Sequence, residues 1–267
     1  PALTLTPSNN SPFCAGNTLN LTTNAAATSY TWLGPNSFTS NVQNPSITNA
    51  SSLATGAYTV IGASSTGCTA SAVTNVTVNA LPVPAPTNTG PYCIGTTMQL
   101  NSVAYSTYTW TGPNSFNSNL QNPSQANTQT INAGVYTVSV INANGCAGTG
   151  TTNVVVNPLP VISVTHPTNC INSTINLTSS GGSTYSWSGP NSFTSNVQNP
   201  AIPLAQLNMT GIYTVTVTDV NNCVNTETVS VTVFSIPNPS ITSNSPVCAG
   251  NTLNLFSSGG VNYVWNG

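Results

Sequence analysis

Apolar and polar positions alternate along most of this chain. The alternation is clear over residues 18–22, 58–60, 73–78 and 212–218, where Leu, Val and Tyr interleave with Thr and Asn. A period of two with Val, Thr and Tyr enrichment predicts half-buried strands, and no window carries a sustained helical stripe. Gly and Pro interrupt the pattern at short intervals, which predicts small sandwiches of short strands. In the first 80 residues the predicted strands fall at 2–6, 18–22, 30–33, 46–48, 57–63 and 72–79. Turns are expected at Gly34-Pro35-Asn36 and Thr66-Gly67, with a corner at Gly56. Pro-rich joints follow at 81–84, 158–160 and 236–239 and should be short and stiff, because Pro fixes φ and extends its neighbour.

The pattern recurs as text. Trp32, Trp110, Trp187 and Trp265 each close an aromatic-x-Trp triplet, 78, 77 and 78 residues apart. Gly-Pro-Asn-Ser-Phe follows the first three at 34–38, 112–116 and 189–193. Gln-Asn-Pro follows at 43–45, 121–123 and 198–200, and Gly-x-Tyr-Thr-Val at 56–60, 134–138 and 211–215. A fixed period with this much shared text means tandem copies of one unit. The predicted architecture is all-β: tandem immunoglobulin-like sandwiches of about 78 residues forming a rod, with the in-phase Trp residues as core anchors on the third strand. The expected repeats are 1–80, 81–158, 159–235 and a partial fourth at 236–267. The chain reads as an internal piece of a longer polypeptide, with no signal peptide and no apolar run long enough for a membrane helix.

Composition removes whole classes of function. There is no Lys or Arg, and the only acids are Asp219 and Glu227; charged residues make up 1% of the chain, against roughly 25% in an ordinary domain. Asn, Ser and Thr account for 115 of the 267 residues. Nucleic-acid binding and polybasic membrane contact both need cations and are excluded. Calcium sites need clustered carboxylates, and isopeptide cross-links need a Lys. A net charge of −2 provides little mutual repulsion and favours association. The apolar residues are patterned, which separates the chain from disordered polar segments.

Seven cysteines fall two per repeat. A leading cysteine opens each repeat (Cys14, Cys93, Cys170, Cys248), and a trailing one follows the predicted 66–67 turn or its counterpart (Cys68, Cys146, Cys223). All seven are expected to be structural disulfide cysteines; their spacing does not suit a metal site. Connectivity has two readings. Each repeat carries its own two, which favours Cys14 with Cys68. Against this, the leading and trailing cysteines should lie at opposite ends of a sandwich. They are separated by a strand of about eight residues, roughly 26 Å long, whereas a disulfide needs Cα atoms within about 7 Å. End-to-end stacking would instead pair Cys14 with Cys146 and Cys93 with Cys223.

Cys-x-Gly-x-Thr-Leu-x-Leu, Tyr-x-Trp-x-Gly-Pro-Asn-x-Phe, Gln-Asn-Pro, Gly-x-Tyr-Thr-Val and Asn-Gly-Cys together resemble the Ig-like and PKD-like repeats of large secreted surface adhesins of Bacteroidota, some of them gliding-motility-associated. The resemblance spans essentially the whole chain and implies extracellular display at the cell surface. PKD-like repeats often keep an acidic loop after the Trp, where this chain has Gly-Pro-Asn.

The remaining candidate sites are few. His166 is the only His and has no counterpart in the other repeats, so a structural or surface role is expected. Asp219 and Glu227 flank Cys223 on one hairpin, which does not suit a facing catalytic pair, and both should be solvated. The turn residues Gly34, Pro35, Asn36, Gly112, Pro113, Asn114, Gly189, Pro190 and Asn191 form the candidate repeated contact loop. Sequons such as Asn20-Leu-Thr and Asn75-Val-Thr are what an Asn- and Thr-rich chain produces by chance. The sequence therefore predicts a non-enzymatic stalk or shaft of a surface adhesin or filament, without cofactors. Its expected partners are neighbouring repeats or other copies of the chain, with surface glycans as a further class. The alternatives are a multivalent glycan- or surface-binding module and an accessory region of a secreted enzyme.

Overall fold

A computed structural model describes residues 2–266. The chain forms two compact units, one ending at Val156 and the other beginning at Asn157. The first unit contains two separate hydrophobic cores and the second contains one.

The first core is enclosed by β1 (Ser8–Asn9), β2 (Phe13–Cys14), β3 (Leu19–Thr22), β4 (Ser29–Gly34), β5 (Phe38–Ser40), β6 (Ser46–Ile47), β7 (Gly56–Ala63), β8 (Thr69–Val76) and β9 (Val78–Asn79). One sheet has the order β5-β4-β7-β8, the other β1-β3-β6, and β2 runs parallel to β9. Alternation decides which side chains face inward. Leu19 and Leu21 of β3 are buried while Asn20 and Thr22 are exposed, and Trp32, Tyr58, Val60 and Val76 close the core from the opposite sheet. β7 pairs with β8 along its whole length, from Gly56 opposite Val76 to Ala63 opposite Thr69.

The second core repeats the plan with β10 (Thr87–Asn88), β11 (Tyr92–Cys93), β12 (Met98–Asn101), β13 (Thr107–Gly112), β14 (Phe116–Ser118), β15 (Ser124–Gln125), β16 (Gly134–Ile141), β17 (Ala147–Val154) and β18 (Val156–Asn157). The second unit has β19 (Ser163–Val164), β20 (Thr168–Cys170), β21 (Ile175–Asn176), β22 (Ser179–Ser180), β23 (Thr184–Gly189), β24 (Phe193–Ser195), β25 (Ala201–Ile202), β26 (Gly211–Thr218) and β27 (Val224–Phe234) around Trp187 and Tyr213. It ends in the hairpin of β28 (Ser240–Ser243) and β29 (Leu255–Ser258).

Two expectations need correction. Residues 2–6 do not form a strand, because the side chain of Asn24 replaces the ladder. Its Oδ1 accepts from Thr6 N–H at 3.0 Å and its Nδ2 donates to Thr4 O at 2.9 Å. Trp265 is not a core anchor: it is 47% exposed, whereas Trp32, Trp110 and Trp187 are buried to within 1%.

The Gln-Asn-Pro motif serves as a clasp. Thr23, just past β3, has its N–H accepted by Asn44 Oδ1 at 3.0 Å and its carbonyl held by Gln43 Nε2 at 3.0 Å. Asn122 and Gln121 hold Ser102 in the same way, and Asn199 and Gln198 hold Ser179. Both backbone groups of a buried residue are thus satisfied by side chains in each repeat. The carbonyls of Gln43 and Gln198 also accept from Trp32 and Trp187 Nε1, at 3.1 and 3.2 Å; Trp110 Nε1 has no such partner.

Candidate functional site

The repeated Gly-Pro-Asn-Ser-Phe hairpin is assembled around a tyrosine. Tyr58 is buried at the start of β7, and its hydroxyl donates to Ala54 O, four residues upstream, at 3.0 Å. Tyr136 and Tyr213 donate likewise to Asn132 and Met209. This is the tyrosine corner of immunoglobulin-like sandwiches. Burial pushes all three phenols above their ordinary value, and Tyr92 adds to the effect at Tyr136.

Each hairpin residue answers to that ring. A Cβ on Gly34 would sit 2.5 Å from the Tyr58 ring, and Gly112 and Gly189 face Tyr136 and Tyr213 just as tightly. Pro35 covers Gly56, and Phe38 meets Tyr58 edge to face at 5.6 Å. Asn36 and Ser37 have φ of 55° and 59°, and Phe38 N–H donates to Pro35 O at 3.1 Å, the geometry of a type I′ turn. Gly34 and Pro35 are therefore absorbed by packing, while Asn36 and Ser37 are exposed. Beside them, Pro35, Phe38, Ile47, Asn49 and Tyr58 line an open cleft of 250 Å³. The counterpart in the third repeat, with Pro190, Phe193 and Ile202, holds 100 Å³ because Met209 stands where the first repeat has Ala54.

The cysteines make the stronger site. Cys14 is bonded to Cys146, with S–S 1.99 Å and Cα atoms 5.6 Å apart across 132 residues of sequence. The leading cysteine of the first repeat thus pairs with the trailing cysteine of the second, and the within-repeat pairing with Cys68 is overturned. The length of β7, which separates the two ends of a sandwich, outweighs the tidy count of two cysteines per repeat. Cys93 and Cys223 are also disulfide-bonded. Within these 267 residues Cys68, Cys170 and Cys248 are free and exposed, so the disulfide expected at each is not formed among them. Under pairing from one repeat to the next, the partner of Cys170 would be a trailing cysteine in the fourth repeat, which the 267 residues do not contain.

The joint around Cys146 is well braced. Asn142 Oδ1 accepts from Cys146 N–H at 3.0 Å, and its Nδ2 donates to Ala80 O at 3.2 Å. The linker lies flat on β17: a Cβ on Gly148 would stand 2.0 Å from Pro82 O, and one on Gly150 2.4 Å from Pro84 O. Glycine at these positions lets Pro-rich backbone rest directly on a strand.

The residues with titratable side chains are placed differently. His166 is exposed between β19 and β20. Asp219 is not merely solvated, since its Oδ1 accepts from Asn221 and Cys223 N–H at 2.8 and 2.9 Å and so builds the turn that presents Cys223. Glu227 is exposed on β27, where its Oε1 accepts from Thr228 N–H. Among the described residues there is no cluster of metal-ligating side chains and no helix long and apolar enough to cross a membrane.

These features define a class: tandem immunoglobulin-like β-sandwiches, all-β, with disulfides of the extracellular type. No family profile and no curated protein sequence matches the chain. Among solved structures, the three N-terminal domains of the Highly Immunogenic Outer Capsid protein (Hoc) of bacteriophage RB49 are similar at 16% identity and TM-score 0.41, over 87% of this chain and 99% of that one. The four N-terminal Ig domains of Dscam1 isoform 1.9 align at 11% identity and TM-score 0.25, over 82% and 70% of the two chains. Sidekick-1 immunoglobulin domains 1–5 align at 17% and 0.27, over 86% and 59%.

Proposed function

We propose that this chain is a structural stalk or shaft of an extracellular surface adhesin or filament, and that it carries no catalysis of its own. The observation that carries the reading is the Cys14–Cys146 bond. It joins one repeat to the next rather than closing either, so it fixes a joint. A stiff linker resting on β17 and a surface nearly free of charge serve the same end. A joint of this kind is independent of salt, because it contains no ion pair to screen. Electron microscopy of cells that produce the protein, labelled with an antibody against the repeat, tests the reading. Thin fibres projecting from the surface are the expected result; label confined to the cell interior would overturn it.

A second reading has its own observation. The cleft beside Pro35 and Phe38 recurs beside Pro190 and Phe193. Repeated weak sites gain strength through multivalency, which suits a surface glycan. A glycan array with the intact chain checks this: binding lost in Phe38→Ala plus Phe193→Ala would favour the second reading.

A further inference from the structure

We propose that β17 is a docking edge for a second copy of this chain, the two β17 strands pairing antiparallel about a two-fold axis at Thr149. The edge lies inside the second repeat, with a repeat on either side of it in the sequence, and it does not depend on the stalk reading.

β17 is the outer strand of its sheet and pairs with β16 along all eight of its residues. The ladder continues into the turn, where Asn142 N–H donates to Cys146 O. In that register the even residues of β17 bond β16, and the odd ones direct their backbone groups away from it. On the outer side Asn88 Nδ2 donates to Asn153 O at 2.9 Å, and Tyr92 N–H donates to Val155 O at 2.9 Å. Ala147, Thr149 and Thr151 remain, all exposed. Among the described residues nothing bonds their outward N–H and C=O groups.

The third repeat closes the same edge. Asn225 and Glu227 of β27 stand opposite Val217 and Val215, as Gly148 and Gly150 stand opposite Val140 and Val138. Asn225 Oδ1 accepts from Thr226 N–H at 2.9 Å, and Glu227 Oε1 accepts from Thr228 N–H at 3.0 Å. Both are outward donors of β27, because Asp219 N–H donates to Cys223 O and so sets the odd residues toward β26. Two edge donors are thus capped, and one cap is a charge, a known guard against strand pairing. Glycine has no side chain to do this, and β17 contains neither a charge nor a Pro.

β8 is uncapped as well, with Ala70 and Ala72 at the two positions. β17 differs from it in the linker at its side. Leu81, Pro82 and Val83 line an open cleft of 430 Å³ with Ala147, Gly148 and Thr149, and Leu81 and Val83 are 46% and 80% exposed. A strand laid along β17 adds apolar burial there to the backbone hydrogen bonds.

The occupant follows from the symmetry of the open stretch. Thr149 is its centre. Antiparallel pairing about that residue sets Ala147 against Thr151 of the second copy and Thr149 against itself, so every open group finds a partner. The sequence has no Lys or Arg, and its two acids are Asp219 and Glu227, so two β17 edges meet without like charges. A contact of this isologous kind closes as a dimer.

Sedimentation velocity of the intact chain, with its disulfides kept and any unpaired thiols alkylated, tests the pairing. A concentration-dependent dimer is expected. Thr149→Lys and Thr149→Glu each set like charges opposite one another and should weaken it about tenfold or more; an equal mixture of the two should restore it. Thr149→Pro should weaken it while leaving the unfolding midpoint near that of the parent, because the N–H it removes lies outside the β16 ladder. Thr226→Lys on β27 and Ser71→Lys on β8 should leave the dimer intact. The proposal is overturned if the chain stays monomeric up to its solubility limit, if the dimer survives both charged variants, if their mixture stays monomeric, or if Ser71→Lys removes the dimer.

Discussion

Gly34 and Gly67 show how two glycines in one repeat can be required for different reasons. At Gly34 the constraint is space, because a methyl group would stand 2.5 Å from the Tyr58 ring. At Gly67 nothing lies within 4 Å, and the constraint is the backbone, at φ 83°. Gly34→Ala should cost about 1–3 kcal/mol through overpacking, and Gly67→Ala about 1–2 kcal/mol through left-handed strain alone. Urea unfolding of both variants separates the cases, since only Gly34→Ala should also disturb the near-ultraviolet signal of Tyr58. The same ring sets a pH dependence. Burial raises the Tyr58, Tyr136 and Tyr213 phenols above the ordinary 10.0, so above that pH the unfolded chain ionises while the folded one stays neutral. The unfolded state then holds fewer protons, and stability falls as pH rises. The contribution of these phenols to thermal stability should therefore be constant below about pH 9, where free phenols remain protonated, and should be lost progressively above 10; an unchanged midpoint between pH 9 and 11 contradicts the assignment.

At the scale of elements, alternation made β3, β4, β7 and β8 legible, because a strand facing a core on one side writes its burial directly into a period of two. The supporting contacts were not legible. Gln43 and Asn44 act on Thr23, some twenty residues back, through side-chain bonds to backbone, and no periodicity records such a reach. Asn24 replaces a predicted strand for the same reason. Trp265 shows the converse: it keeps the aromatic-x-Trp triplet yet is 47% exposed, because burial belongs to the covering strands and not to the triplet. Removing one arm of the clasp leaves a buried backbone group unpaired, at about 1–3 kcal/mol. Gln43→Ala and Asn44→Ala should each lower the unfolding midpoint. Hydrogen exchange should quicken at Thr23 in Asn44→Ala and not in Gln43→Ala, since only Asn44 takes that N–H.

At the scale of the whole molecule, the sequence offered two disulfide patterns, and the length of one strand decided between them. Cysteine count favoured closure within a repeat, but the eight residues of β7 hold the two ends of a sandwich too far apart. Breaking the bond with Cys14→Ser plus Cys146→Ser should cost about 2–4 kcal/mol, read as a lower denaturant midpoint that reductant does not shift further at this joint. Sodium chloride from low to molar concentration should leave the midpoint nearly unmoved, because a chain with no Lys or Arg and two acids gives Debye screening little to act on.

The position of that bond also decides what happens when the chain is pulled. A load entering ahead of Cys14 and leaving beyond Cys146 crosses a single covalent link, and the strands from β3 to β16 lie outside its path. They can unravel and re-form without any change in end-to-end length. With the bond reduced, the segment between the two cysteines, 132 positions apart, would pay out as roughly 450 Å of slack at full extension. Oxidation state thus sets whether the stretch from Cys14 to Cys146 behaves as an inextensible tether or as a spring.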